Sequence, residues 1–171
     1  MTTLDEPVQP PSLKEQAARL DERRAEALGM GGAELVNRQH AAGKLTVRER
    51  LELLFDAGTF VESGLFAEAI KTPQSEGRRT PADGCVTGVG KIDGRDVSVI
   101  AYDFTVLAGS MGQHGERKAA RAREMAVRRG TPLVYLLDSA GARVNEAVGA
   151  AFAGTGDLFR ELSVMSGVIP Q

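Results

Sequence analysis

The sequence predicts an α/β fold. From residue 84 onward the order of signals is hairpin, glycine loop, helix, buried strand, small-residue turn, helix and the start of another strand. Parallel pairing through crossover helices is the natural solution for such an alternation. Two local signals support it. Gly84–Ile92 and Arg95–Asp103 alternate around Asp93-Gly94, a strong two-residue hairpin signal, and Thr131–Asp138 is a continuous apolar run of the length expected of a strand covered on both faces.

The elements follow in order. Residues 1–11, with Pro7, Pro10 and Pro11, read as a disordered lead-in. Ser12-Leu-Lys-Glu15 is a capping box that opens a helix with apolar positions at Leu13, Ala17, Leu20 and Leu28, ended by Gly29. A second helix spans about Ala33–Ala42 up to Gly43. A third opens at the capping box Thr46-Val-Arg-Glu49 and runs through Leu51, Leu53 and Leu54 to the turn at Asp56–Gly58. Residues 12–56 thus form a helical arm whose apolar side is expected to dock on the rest of the chain or on a neighbouring subunit. Phe60–Ser63 reads as a short strand and Ile70–Ala82 as a polar loop. After the hairpin, Thr105–Gly115 is a loop, Glu116–Arg129 a helix closed by Gly130, and Val144 to about Val164 a helix softened by Gly149, Gly154 and Gly156. Gly167–Gln171 resembles the start of a further buried strand.

Composition removes several classes of function. With 21 Lys+Arg against 23 Asp+Glu, the net charge of −2 supplies no global field for nucleic acid. No run approaches the ~18 apolar residues of a membrane span, and Met1–Pro11 lacks the basic and apolar regions of a signal peptide, so the expected location is cytoplasmic. Cys85 stands alone, which excludes an internal disulfide; with only His40 and His114 beside it, no metal site is expected. The 20 glycines exceed the usual share of about 7% and cluster in the second half, where backbone is required to approach something closely.

Leu137-Asp-Ser139-Ala-Gly141 places a serine on a strand-to-helix turn, but Leu137 stands where a nucleophile elbow has glycine, and both histidines precede the serine. Gly109-Ser-Met-Gly112-Gln-His-Gly115 matches no phosphate-loop pattern. The Asp138–Arg143 turn does offer small residues after a buried strand, where free amides and a helix dipole suit a developing oxyanion; an ordinary strand-to-helix turn has the same appearance. The helix after Gly115 is basic. Arg117, Lys118 and Arg121 could steer a phosphorylated ligand such as coenzyme A, as a merely solvated face would also look. His40 and His114 have no visible catalytic partner.

Six blocks then fall in register. Gly43–Arg50 (GKLTVRER), Asp56–Glu62 (DAGTFVE), Asp83–Gly88 (DGCVTG), Asp103–Ser110 (DFTVLAGS), Asp138–Arg143 (DSAGAR) and Ser166–Gln171 (SGVIPQ) occur in the order and spacing of the carboxyltransferase (β) subunit of biotin-dependent acyl-CoA carboxylases. The chain resembles the propionyl-/acetyl-CoA type from about residue 12 to its end, and lacks the cysteines of the type with a zinc ribbon. The resemblance implies a crotonase-like β-β-α superhelix, incomplete here, with residues 57–171 as the first part of the carboxyltransferase domain. It implies transfer of a carboxyl group from carboxybiotin, carried on a separate protein or subunit, to the α-carbon of a short-chain acyl-CoA. In the usual scheme biotin itself takes the α-proton, so the protein supplies amides rather than a base. Those amides would belong to Ala140 and Gly141; the family often has Gly-Gly there, and contact through N–H lets alanine serve. Gly109, Ser110, Met111 and Gly112 would line the CoA path. The implied partners are the biotin carboxylase and biotin-carrier (α) subunit and other β subunits in a homo-oligomer. The family continues past this point with the rest of its acyl-CoA pocket and a biotin-binding domain, so the polypeptide alone is expected to lack carboxyltransferase activity. Two other readings remain: a truncated, non-catalytic partner docking through residues 12–55, and a CoA-ester decarboxylase subunit of the same superfamily.

Overall fold

A computed structural model describes residues 10–73, 75–146 and 156–171. Three helices lead: α1 (Leu13–Leu28), α2 (Ala33–Ala41) and α3 (Val47–Leu54). Both capping boxes form. The Ser12 amide donates to Glu15 Oε2 at 2.7 Å while the Glu15 amide returns a bond to Ser12 Oγ at 3.3 Å, and Thr46 with Glu49 repeats the arrangement at 2.7 and 3.3 Å. The helices differ in what they bury. α3 buries Val47 and Leu51 beneath the sheet, whereas on α1 only Ala27 is buried and Leu13 stays 85% exposed.

The sheet contains β1 (Val61–Ser63), β2 (Cys85–Ile92), β3 (Arg95–Tyr102) and β4 (Leu133–Leu136), in that spatial order. β1–β2 and β2–β3 pair antiparallel, and β3–β4 pair parallel through the crossover helix α4 (Gln113–Arg129). The hairpin is as expected, with Ile92 opposite Arg95 and positive φ at Asp93 (50°) and Gly94 (75°). Asp56 holds its loop: the carboxylate accepts the amides of Asp93 at 3.2 Å and Gly94 at 2.9 Å.

Alternation along the strands divides the core between two faces. On one, Cys85, Ile100, Tyr102 and Leu133 meet Ala119 and Ala126 of α4, Met165 of the last helix α5 (Gly156–Met165), and Ile169. On the other, Val86, Val97, Val99 and Ala101 meet Val47, Leu51 and Phe55. Burial pushes the Cys85 thiol up to about 12, so it packs as an inert apolar group. Arg123, 1% exposed, ion-pairs with Glu116 and with Glu161 of α5 and fastens the two helices together.

Four expectations need revision. α4 begins at Gln113 rather than Glu116. β4 ends at Leu136 and lies at the sheet edge, because the chain leaves β3 there to run beside Met111. Val144–Glu146 form a turn and Gly156–Met165 form α5; residues 147–155 of the expected helix, with Gly149 and Gly154, lie outside the described residues. Gly167–Gln171 form a turn and coil rather than a strand, although the Leu133 amide donates to Pro170 O at 3.0 Å.

Candidate functional site

Two short left-handed turns flank the hairpin. Ala82, Asp83 and Gly84 precede β2 with φ of 54°, 52° and 66°, and Leu107, Ala108 and Gly109 follow β3 with φ of 48°, 54° and 62°. Four of the six carry a Cβ, and each such residue costs roughly 1–2 kcal/mol in this conformation. Strain of this kind persists only where surroundings enforce it, and it concentrates at functional sites. Gly109 shows the constraint: a side chain there would collide with the Asp138 carbonyl oxygen. Just upstream, buried Asp103 accepts the Thr105 amide at 2.9 Å and hydroxyl at 2.6 Å, and Thr105 Oγ1 accepts the Gly31 amide at 3.0 Å, tying the loop to the helical arm. Burial raises the Asp103 carboxyl above its ordinary range.

A buried ionic cluster joins both turns to the start of α4. Arg143 Nη1 donates to Asp83 Oδ1 at 2.6 Å and to Glu146 Oε1 at 2.8 Å; its Nη2 reaches Ser110 O at 2.8 Å and its Nε reaches Ser110 Oγ at 3.2 Å. The carboxylates also cap α4, since the Gly115 amide donates to Asp83 Oδ2 at 2.7 Å and the Gln113 amide to Glu146 Oε2 at 2.9 Å. The positive end of the helix is therefore filled by the protein's own anions. Gly112 lies beneath the Arg143 guanidinium, where a side chain would collide with it.

The 138–143 turn runs beside the 107–111 loop. Met111 donates to Gly141 O and Arg143 donates to Met111 O, both at 2.9 Å. Asp138 gathers Gln39, Lys44 and Arg50 at 3.2, 3.3 and 3.3 Å. The amides expected to hold an oxyanion have internal partners here: Ala140 donates to Ala108 O, and Gly141 donates to Ser139 Oγ, each at 3.0 Å.

A cleft of about 550 Å³ opens beside these segments; of the 138–143 turn Arg143 lines it, and Ala140 and Gly141, the expected oxyanion donors, do not. Leu35, Arg38 and Gln39 of α2 and its capping residue Ala42 line it with Lys44, Thr72, Ser75 and Arg78, and its floor is Phe104, Thr105, Leu107, Ala108, Ser110, Arg143 and Asn145. None of these lining residues is a carboxylate or an imidazole. Of the expected CoA-path residues only Ser110 reaches the cleft. Gly109 and Gly112 are buried, and Met111 packs against the core. The expected steering cations lie elsewhere. Arg117 and Arg121 are exposed on α4 outside the cleft, and Lys118 turns inward, where Gly64 covers its stem and its Nζ donates to Ala82 O and Cys85 O. Burial lowers the Lys118 ammonium below its ordinary range. His40 bonds Glu49 at 2.9 Å and His114 contacts Glu68 O at 2.7 Å. Among the described residues no group of three His, Cys, Asp or Glu could hold a metal ion. Sequence reasoning missed the Asp83–Arg143–Glu146 cluster and the cleft arginines Arg38 and Arg78. Asp83 and Arg143 did stand at the ends of two of the quoted blocks.

Comparison with known proteins places this geometry in context. A family model described as the carboxyl transferase domain matches residues 38–171. Methylmalonyl-CoA decarboxylase subunit alpha of Propionigenium modestum is 46% identical over 146 residues, covering 85% of this chain and 28% of its own length. The propionyl-CoA carboxylase beta chain of Cereibacter sphaeroides is 44% identical over 160 residues, covering 93% of this chain and 31% of its own. Among solved structures, the transcarboxylase 12S core, a hexamer with methylmalonyl-coenzyme A and methylmalonic acid bound, superposes with a TM-score of 0.88 at 37% identity over 95% of this chain and 32% of that one. The beta subunit of P. aeruginosa geranyl-CoA carboxylase gives 0.74 at 25% identity over 96% and 32%. The chain thus spans under a third of the length of these relatives.

Proposed function

This chain belongs to the carboxyl transferase domain family, and on that premise we propose that it forms part of the carboxyltransferase component of a biotin-dependent acyl-CoA carboxylase. It would serve transfer of a carboxyl group to the α-carbon of a short-chain acyl-CoA, with residues 12–56 as an arm and 57–171 as the transferase portion. The observation that carries the reading is a cleft lined by four cations, with neither carboxylate nor imidazole among its described lining residues. Such a surface receives an anionic thioester and stabilises an enolate without itself removing a proton. Carboxybiotin, brought by a separate biotin-carrying subunit, would supply the carboxyl group and accept the α-proton.

The chain's own part is binding and polarisation. Leu35, Phe104 and Leu107 offer apolar wall to the pantetheine and acyl portions, and Ser110, held by Arg143, fixes the floor. Of the two proposed oxyanion donors, Gly141 is the more readily released. Its partner is a rotatable hydroxyl on Ser139, whereas the Ala140 amide must part from the Ala108 carbonyl. The likeness to a methylmalonyl-CoA decarboxylase subunit favours one alternative, in which the same cleft serves loss of a carboxyl group from an acyl-CoA.

Titration calorimetry of the purified chain with propionyl-CoA and acetyl-CoA tests the reading. Saturable 1:1 binding is expected, and absence of binding at millimolar ligand overturns it. Because the chain spans under a third of its relatives, binding without turnover is expected; acyl-CoA-dependent decarboxylation by the purified chain would overturn that part.

A further inference from the structure

The cleft holds four cations that differ in how they are compensated. Lys44 is paired with Asp138, and Arg143 with Asp83 and Glu146. Arg38, on α2, and Arg78, forty residues later on the polar loop, are both exposed, and among the described residues neither forms an ion pair. Two guanidinium groups from separate elements, unpaired among the described residues, thus line one concavity whose described lining residues include no carboxylate. A guanidinium presents a planar fork of donors that matches phosphate oxygens, and a concavity lined by one sign of charge focuses its field on an anion. Phe104, 39% exposed, and Leu35 lie in the same cleft and offer flat or apolar surface to whatever carries the phosphate. The basic face of α4 lacks this convergence. Arg121 and Lys118 border a different groove with Ser63, Thr87 and Met125, and the Lys118 ammonium is already engaged by two backbone carbonyls.

We infer that Arg38 and Arg78 form a phosphate clamp for the nucleotide end of a coenzyme A thioester, and that this clamp sets the preference for phosphorylated carriers over bare pantetheine thioesters. The inference rests on the acyl-CoA reading above and deepens it. Titration calorimetry with propionyl-CoA and with S-propionyl-pantetheine, which lacks every phosphate, separates the two. Arg38→Gln and Arg78→Gln should each weaken propionyl-CoA binding about tenfold, the loss of roughly one charge-assisted contact. They should leave S-propionyl-pantetheine unchanged and flatten the salt dependence of propionyl-CoA binding. Arg117→Gln with Arg121→Gln should change neither ligand. Both clamp side chains are exposed, so unaltered thermal melts are expected to accompany the loss. If wild-type protein binds propionyl-CoA and the two variants bind it equally well, or the α4 variants weaken it instead, the clamp is wrong and the acyl-CoA reading stands. If wild-type protein binds neither thioester, the reading falls and the clamp with it.

Discussion

Arg143 is the residue on which the site's internal order depends most. Its guanidinium neutralises Asp83 and Glu146, both buried, and fixes Ser110 through two further bonds. Removing one member of a buried ionic group leaves the others uncompensated, which typically costs about 3–5 kcal/mol. Arg143→Met should therefore lower unfolding stability in urea by about that amount, and a loss under ~1 kcal/mol would show that the cluster is solvated. The glycines here were legible in the sequence, because absence of a side chain is itself a steric statement: Gly109 and Gly112 sit where a Cβ would strike Asp138 O and Arg143. The ion pair from Asp83 to Arg143 was not. Sixty residues separate the partners, and pairing across such a distance leaves no periodicity to read. The same holds for Arg38 and Arg78, which look like solvated charges until the fold brings them to one cleft.

At the scale of elements, what was legible was local. Both capping boxes and the Asp93-Gly94 hairpin are encoded within a few residues, and they formed as expected. α4 starts three residues before the expected Glu116 because Gly112 offers no capping side chain to mark the start in sequence; Asp83 and Glu146 cap the helix from distant segments. β4 is short for a related reason, since the residues after Leu136 pair with the 107–111 loop. The Thr46 box has a pH signature. Glu49 is held down to about 2 from 4.5, chiefly by its bond to His40 and then by the Thr46 amide and hydroxyl. A depressed carboxyl favours the folded state fully above the unfolded value, and the contribution fades as pH falls from 4.5 toward 2. Melting temperatures between pH 6 and pH 2 should accordingly fall less steeply for Glu49→Gln than for the native chain. Because the pair is exposed, the difference should shrink in high salt; parallel curves would remove Glu49 from the acid response.

For the molecule as a whole, the crotonase-like α/β fold expected from six short blocks is the fold of the solved neighbours. Class was legible because alternation and order fix the layers: α3 lies under one face of the sheet, and α4 with α5 lies over the other. The disposition of the arm was not legible, since an amphipathic stripe states that a helix has an apolar side without stating what covers it. α1 leaves Leu13 and Leu20 in solvent within this chain. The two left-handed turns have a consequence in time. The β2–β3 hairpin closes through two residues and can form within microseconds, but the pairing of 107–111 with 140–143 must wait for α4 to carry the chain across and for β4 to dock. We therefore expect the strained backbone to be accepted after the folding barrier, so that interactions made there act on escape from the native state rather than on arrival. In stopped-flow experiments Arg143→Met should speed unfolding and leave the refolding rate nearly unchanged, whereas equal effects on both arms would place the cluster in the folding nucleus. By this order the sheet would be old and the site young in the life of each molecule, the cleft the last part to close and the first to come undone.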